Sequence, residues 1–121
     1  MKDYMYFSAD ELKCKCGKCD GGQMDDNFMS KIVQLRIIFN KPIDIKSGFR
    51  CKEHNESQGG AENSAHMRGR AVDIRITPEN KSKLLELAIH LGFKRLGFGK
   101  TFLHLDDMKE SEGYYQGWWT Y

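Results

Sequence analysis

The clearest pattern of hydrophobic and polar positions lies between residues 25 and 39 and predicts an amphipathic helix. Apolar side chains recur there at intervals of four, three and four residues, namely Phe28, Ile32, Leu35 and Phe39. This spacing places them on one face of a helix that begins at about Asp25. A second helix is predicted after Thr77-Pro78, which suit the N-cap and the first helical position. Its buried stripe comprises Leu84, Leu87, Ala88 and Leu91, and Gly92 ends it.

Alternation of apolar and polar residues predicts short strands elsewhere. Ile43-Asp44-Ile45 is one, and residues 71–76 form another in which Asp73 faces away from the buried row. Phe93–Phe98 and Thr101–Asp106 are predicted to pair as a hairpin that turns at residues 99 and 100. The fold class is therefore predicted to be α+β, with two main helices packed on a small, mostly antiparallel sheet.

The remaining segments show no such periodicity. Residues 8–11 have the form of a capping box and predict a short helix, whereas Cys14–Gly22 predicts a tight loop ordered by cross-linking or by metal. The polar stretch Cys51–Arg70 is predicted as a long loop, and such loops tend to be functional. The aromatic tail Trp118–Tyr121 is either a flap that closes the core or an exposed platform for substrate.

Composition narrows the class of protein. The 121 residues suit one domain, residues 1–121, with a cysteine-containing N-terminal segment (1–23) and a core (24–121). The 19 basic and 17 acidic residues leave a net charge of +2, which does not favour nucleic-acid binding. No apolar stretch approaches the ~20 residues that span a bilayer, and the first twelve residues lack the apolar core of a signal peptide. We therefore expect a monomer made in the cytoplasm, without nucleic-acid or membrane partners.

Three residues carry the candidate chemistry: His66, Asp73 and His104. Two imidazoles and a carboxylate are a ligand set typical of catalytic zinc, which keeps a fourth position for water. Bound zinc lowers the pKa of water from ~15.7 to about 7 and polarises the carbonyl under attack. Spacing alone favours surface or hydrogen-bonded structural roles, because isolated His and Asp residues are common in them.

Three motifs strengthen the zinc hypothesis. Residues 47–50 read Ser-Gly-Phe-Arg, followed by Asn55, which has the form S-G-[YF]-R with a later Asn. Residues 59–61 read Gly-Gly-Ala, and residues 64–73 have the full pattern S-x-H-x-x-G-x-A-x-D. Residues 104–106 have the form H-x-D. In this order, the motifs resemble the M15 zinc peptidases of the D-alanyl-D-alanine carboxypeptidase and Hedgehog-type superfamily, especially short bacterial and bacteriophage members.

The resemblance implies a fold like that of Hedgehog and the DD-peptidases, with His66, Asp73 and His104 binding one catalytic zinc ion. It implies that Arg50 binds a substrate carboxylate or carbonyl, which suits the planar guanidinium. Ser64 would orient substrate or a ligand, or else only form a turn. The implied reaction is hydrolysis of an amide bond in the peptidoglycan stem peptide by zinc-bound hydroxide, as a D-Ala-D-Ala carboxypeptidase or an endolysin-type endopeptidase.

The general base departs from the pattern of better-known relatives. Many of them have an acidic residue three positions before the last ligand, or a His two positions before it. Thr101 and Phe102 occupy those positions here, and neither takes up a proton at neutral pH. Asp106 is the nearest carboxylate and is predicted on the same side of the strand as the last ligand, so it is assigned as the base or as a support for that ligand. Asp107 and Glu53 remain alternatives.

The cysteines leave three states open. Cys14, Cys16 and Cys19 lie within six residues, and Cys51 stands apart. A four-thiolate structural zinc site is one reading, but the C-x-C gap is tighter than usual for zinc and favours two disulfides or free thiols. Cys51 follows Arg50, so any link from the N-terminal loop to Cys51 would brace that arginine.

A rival hypothesis belongs to another class of protein. Hedgehog-type relatives keep the fold without the peptidase role, and the missing upstream base favours a noncatalytic zinc module that binds wall peptide or a protein partner. The intact ligand set and Arg50 favour the enzyme. A wall-directed enzyme without an export signal is predicted to be a phage or prophage lytic or virion-associated protein.

Overall fold

The computed structural model describes all 121 residues, which form four α-helices and one five-stranded sheet. The helices are α1 (Ala9–Leu12), α2 (Asp26–Phe39), α3 (Lys52–Ser57) and α4 (Lys81–His90). The strands are β1 (Ile45–Ser47), β2 (Ala71–Arg75), β3 (Arg95–Phe98), β4 (Phe102–Asp106) and β5 (Trp118–Thr120). Short 3-10 helices cover Ala65–Arg68 and Glu110–Glu112. The predicted α+β class, with a mostly antiparallel sheet, is confirmed.

The sheet has the strand order β1-β2-β4-β3-β5, and only β3 and β5 run parallel. Its register places one residue of each strand in a continuous row across the sheet. That row is Ser47, Asp73, His104, Gly97 and Trp119. In β2, β3 and β4 this row alternates with the buried positions, so it lies on the face opposite the core. In β1 a register shift between Ile45 and Ser47 brings Ser47 beside Asp73.

The core lies between the other face of the sheet and helices α2 and α4. Eighteen buried residues form it, and the strands contribute the positions that alternate with the polar row, such as Val72, Leu105 and Leu96. Helix α2 contributes Phe28, Ile32 and Leu35, as its spacing predicts, whereas Phe39 in its last turn is only partly buried. No helix combines the length and the apolar character needed to cross a membrane.

Helices α1 and α2 each begin at a side-chain cap. The predicted capping box is present at Ser8 and Glu11, and the Asp25 carboxylate accepts a hydrogen bond from the amide of Phe28 at the start of α2. The predicted start of α4 at Thr77 is wrong, because Thr77 and Asn80 hydrogen-bond each other in a turn that delays the helix to Lys81.

Several predicted boundaries are also wrong. β1 begins at Ile45 because the ladder with β2 starts there, although Ile43 is buried as its alternation predicts. β3 begins at Arg95 and not at Phe93. The Phe93 amide donates to the Ala88 carbonyl of α4, so Phe93 lies in the turn that ends that helix.

The predicted long loop Cys51–Arg70 contains α3 and a 3-10 helix. Sequence periodicity did not predict either helix, because neither has an apolar stripe. The aromatic tail forms strand β5, whose pairing with β3 depends on tertiary structure. The ring of Trp118 lies 5.6 Å from that of Phe98 on the core face, whereas Trp119 belongs to the polar row.

Candidate metal centre

His66, Asp73 and His104 meet at one point on the polar face of the sheet. Asp73 and His104 are paired neighbours on β2 and β4, and His66 comes from the 3-10 helix that precedes β2. Their ligand atoms lie within 4.8 Å of one another, and all three residues are buried. The Asp73 Oδ1 atom lies 3.2 Å from His66 Nε2 and 3.0 Å from His104 Nδ1.

The second nitrogen of each imidazole is held from outside the cluster. His66 Nδ1 lies 2.7 Å from the Gly48 carbonyl oxygen, which accepts only if this nitrogen carries the proton. His104 Nε2 lies 2.7 Å from Asp106 Oδ2, which imposes the same condition on that ring. Both imidazoles in their neutral form therefore turn a lone pair toward Asp73.

This donor set fits a divalent cation. Two imidazole lone pairs and a carboxylate oxygen converge there, and all three are acceptors. One proton cannot satisfy all of them, whereas a metal ion can bind all three. Two nitrogens and one oxygen are also the ligand types of catalytic zinc sites. His66, Asp73 and His104 would hold the metal, and Gly48 and Asp106 would orient the two rings.

The electrostatics of the metal-free cluster are dominated by burial and by mutual pairing. Burial lowers the pKa of His66, and its hydrogen bond to Asp73 opposes the shift only in part. Burial alone would raise the pKa of Asp73, but its close pairing with the His104 and His66 rings outweighs burial and holds that pKa well below its usual range. Burial alone would lower the pKa of His104, but its hydrogen bonds to Asp106 and Asp73 outweigh burial, and the pKa is raised overall. Asp73 is therefore ionised at neutral pH, as a metal ligand must be.

Both carboxylate oxygens of Asp106 accept hydrogen bonds, one of them from His104. Its Oδ2 atom accepts from His104, and its Oδ1 atom lies 2.7 Å from Arg95 Nε and 3.0 Å from the Met108 amide nitrogen. Burial would raise the pKa of Asp106, but the hydrogen bonds from His104 and Arg95 lower it overall. The carboxylate is thus ionised and directed at the ring that it orients.

The alternative bases lie away from this point. Asp107 pairs with Arg70, at 2.7 Å, and with Lys31, while Glu53 is exposed on α3. Among the residues that line the cavity over the cluster, Asp73 and Asp106 are the only carboxylates.

Arg50 reaches the cluster from the turn after β1. Its Nη2 atom lies 3.2 Å from Asp73 Oδ2, and its Nε atom donates to the Ser47 hydroxyl at 3.0 Å. Buried Asn55, on α3, faces the guanidinium through its Oδ1 atom at 3.4 Å, while its Nδ2 atom donates to the Ala61 carbonyl. The arginine is thereby fixed beside the candidate metal position.

Ser64 has a local role in the structure. Its hydroxyl accepts from the His66 amide at 3.2 Å and caps the 3-10 helix that carries this histidine. Gly69 ends that helix with φ near 67°, in the left-handed region, and a Cβ atom there would lie 2.2 Å from the Gln23 carbonyl oxygen. The short span between His66 and Asp73 is therefore built around a glycine.

A cavity of about 620 Å³ opens over the cluster. One wall is aromatic. The Trp119 ring lies tilted against the His104 ring with 5.3 Å between ring centroids, and the Tyr121 ring centroid lies 6.4 Å from that of Trp119 and 5.1 Å from that of Phe102. Gly97 makes room for this wall, since a Cβ atom there would lie 2.7 Å from Trp119 Nε1. Arg50 and residues 58–61 also line the cavity.

Sequence reasoning missed Arg95, Gly97 and Tyr114. Arg95 and Gly97 alternate with buried Leu96 and partly buried Phe98, so strand periodicity could have placed them on the face of His104. Tyr114 lines the cavity, and its buried hydroxyl has no hydrogen-bond partner. No local pattern marks it, because it lies in an irregular segment.

A buried set of two histidines and an aspartate, with each ring oriented from behind and an arginine at the rim of a cavity, defines a candidate metallohydrolase. The family model for peptidase M15 matches residues 5–106. The chain therefore belongs to the M15 peptidase family.

Two relatives illustrate the similarity. The zinc D-Ala-D-Ala carboxypeptidase of Streptomyces albus G is 37% identical over 69 residues, which cover 56% of this chain and 27% of that protein. The probable peptidoglycan L,D-endopeptidase MepK of Haemophilus influenzae is 30% identical over 94 residues, covering 69% of this chain and 50% of that protein. The chain thus matches half or less of the length of these two relatives.

Proposed function

We propose that this protein is a zinc-dependent peptidase that hydrolyses amide bonds in the peptide stem of bacterial peptidoglycan. The observation that carries the proposal is the convergence of His66 Nε2, Asp73 Oδ1 and His104 Nδ1 at the floor of the cavity. The names of the two relatives, which include a zinc carboxypeptidase and a peptidoglycan endopeptidase, support the same substrate class.

The roles of the site residues follow from their contacts. A bound zinc ion would supply Lewis acidity, which activates water and polarises a carbonyl. Gly48 and Asp106 hold the rings of His66 and His104 so that the ligand nitrogens need no reorganisation when the metal binds. We assign Asp106 a positioning role, because neither of its oxygens is free to accept a proton from water.

Arg50 is proposed to bind the substrate. Its guanidinium lies at the rim of the metal site and presents N–H donors in a plane, which suits a peptide carboxylate or carbonyl. Lys46 and Arg95 also line the cavity, so the basic residues outnumber the carboxylates there. Stem peptides are rich in carboxylates, and this charge is complementary to them.

The aromatic wall is proposed to contact the apolar part of the peptide. The rings of Trp119 and Tyr121 line the cavity next to the metal site, and alanine methyl groups of a stem peptide would pack on them. The products formed from synthetic stem peptides distinguish release of a terminal D-Ala from cleavage within the stem. We propose a carboxypeptidase or an endopeptidase action, because the two relatives carry these two names.

The test is amine release from purified peptidoglycan by the zinc-loaded protein. We expect release that is lost on chelation, restored by zinc, and absent from His66→Ala. His90→Ala is the matched control, because His90 is exposed at the end of α4, away from the cavity, and should behave as wild type.

A second candidate is a noncatalytic zinc module that binds wall peptide. The observation that favours it is that both carboxylates in the cavity are engaged, which leaves no free carboxylate as a base. Zinc-dependent binding to peptidoglycan without any release of amines or peptides would establish this function in place of the peptidase.

For the biological setting, we propose a phage or prophage lytic or virion-associated role. Such proteins degrade the wall, and hydrolysis of the stem peptide is a means to that end. Expression in a bacterial cell together with a membrane-permeabilising partner should cause lysis that depends on His66, whereas intact cells would contradict a lytic role.

A further inference from the structure

A second cluster of metal-ligating side chains lies outside the cavity, where the N-terminal segment meets the turn after β1. Its members are four cysteines whose Sγ atoms all lie within 4.8 Å of one another, namely Cys14, Cys16, Cys19 and Cys51. All four are free thiols. We propose that they bind one zinc ion with a structural role, distinct from the His-Asp-His centre.

The positions of the sulfurs suit tetrahedral coordination. Zinc–sulfur bonds of ~2.3 Å place four tetrahedral sulfurs about 3.8 Å apart, within the spread observed here. Disulfides would join the sulfurs in two separate pairs, whereas this cluster brings all of them to one point. Four thiolates leave no open coordination position, which is the mark of a structural site.

Backbone N–H groups are directed at every sulfur of the cluster. Cys16 Sγ accepts from the amides of Lys18 and Cys19 at 3.2 and 3.3 Å, and Cys19 Sγ accepts from that of Gly21 at 3.3 Å. Cys14 Sγ accepts from the Cys51 amide at 3.3 Å, and Cys51 Sγ from that of His54 at 3.4 Å. A neutral thiol is a weak acceptor, whereas a thiolate held by a cation accepts such bonds well.

The local backbone and charge also agree with a tetrathiolate site. Gly17, between Cys16 and Lys18, has φ near 72°, which lets the chain turn tightly around the cluster. Zinc with four thiolates carries a net charge of −2. Four lysines adjoin the cysteines in sequence and make this part of the chain basic, which favours a negatively charged cluster, namely Lys13, Lys15, Lys18 and Lys52.

The site would fasten the N-terminal segment to the turn that carries Arg50. Cys14 and Cys51 are 37 residues apart in sequence, so one ion closes a long loop. Next to the cluster, the Phe49 amide donates to the Leu12 carbonyl at 2.9 Å. The preceding residue, Gly48, supplies the carbonyl that orients His66. That this link between the N-terminal segment and the Arg50 turn supports catalysis rests on the proposed function. The existence of the second metal site does not depend on the proposed function.

Metal content tests the proposal without an activity assay. We expect two zinc ions per chain in the wild-type protein, one in His66→Ala and one in Cys19→Ser, where Cys19 is the most exposed of the four. Cadmium titration of zinc-free His66→Ala should produce thiolate-to-metal charge-transfer absorption that saturates at one ion per chain, and Cys19→Ser should reduce it strongly. Loss of the ion should also lower the midpoint of thermal unfolding.

Two results would overturn the proposal. One is a wild-type protein with a single zinc ion that His66→Ala removes, with no thiolate-to-cadmium absorption in that variant. The other is a mass, measured without reductant, that shows the hydrogen loss of one or two disulfides in the freshly purified protein. If Cys19→Ser does not fold, His66→Ala alone decides, since it keeps all four cysteines. Failure of amine release with intact cadmium binding would contradict the peptidase and leave the thiolate site standing.

Discussion

Replacing Asp106 by Asn separates a positioning role from a base role. The side chain is completely buried, one oxygen accepts from His104 Nε2 at 2.7 Å, and the other accepts from Arg95 at 2.7 Å. An Asn of the same shape has one acceptor oxygen in place of two. It cannot accept from both partners, and it lacks the negative charge that strengthens each bond.

The magnitude follows from the lost bond. A hydrogen bond to a charged group contributes about 1.5–3 kcal/mol. Loss of the partner behind a ligating histidine typically weakens metal binding by about 10- to 100-fold. We therefore expect Asp106→Asn to weaken zinc affinity by about 10- to 100-fold, with a matching loss of activity at limiting zinc.

Competition with a chelator of known affinity measures this change directly. The matched control is Asp107→Asn, because Asp107 is the adjacent carboxylate but pairs with Arg70 outside the cavity. Zinc affinity should be unchanged in the control. Wild-type zinc affinity in Asp106→Asn, combined with loss of turnover at saturating zinc, would refute the positioning role and establish Asp106 as the base.

Three further predictions concern other parts of the molecule. Gly48→Ala should destabilise the protein by about 1–3 kcal/mol in urea unfolding, because its Cβ atom would lie 2.5 Å from the Leu12 carbonyl oxygen; wild-type stability would contradict this. Arg50→Lys should raise KM for stem peptide by about tenfold or more with zinc content unchanged, because an ammonium loses the planar fork; an unchanged KM would exclude a substrate role. The hydrogen bond from Arg70 lowers the pKa of Glu112 below 4.5, so its contribution to stability is present above pH 4.5 and is lost as pH falls through the lower, folded-state pKa. In Glu112→Gln, the midpoint of thermal unfolding should therefore fall less than in wild type as the pH is lowered below 4.5. An unchanged pH dependence would show that the pair contributes nothing to stability.

Local patterns predicted the main helices and the alternation of the central strands. The stripe Phe28, Ile32 and Leu35 is buried because apolar spacing of three and four residues matches the helical repeat. The capping box at residues 8–11 formed because both of its hydrogen bonds are local. Errors fell at boundaries such as Thr77, where a side-chain turn competes with the helix over a few residues.

The candidate ligands were found through motif resemblance and strand alternation. Alternation placed Asp73 and His104 on polar faces of their strands, but the sequence contains no information on register that would make them direct neighbours. The pairing of Asp73 with His104 arises from the β2–β4 ladder, which forms only when both strands bury their apolar rows together.

By itself, the sequence determined the fold class, the buried faces of the helices and the residue types suited to zinc, because these depend on periodicity and on side-chain chemistry. Only the tertiary structure brought Arg95 behind Asp106, placed Trp119 against His104 across the β3–β5 pairing, and gathered Cys51 with the N-terminal cysteines. These contacts join residues distant in sequence, and they form only when the shared core fixes the relative positions of the strands and turns.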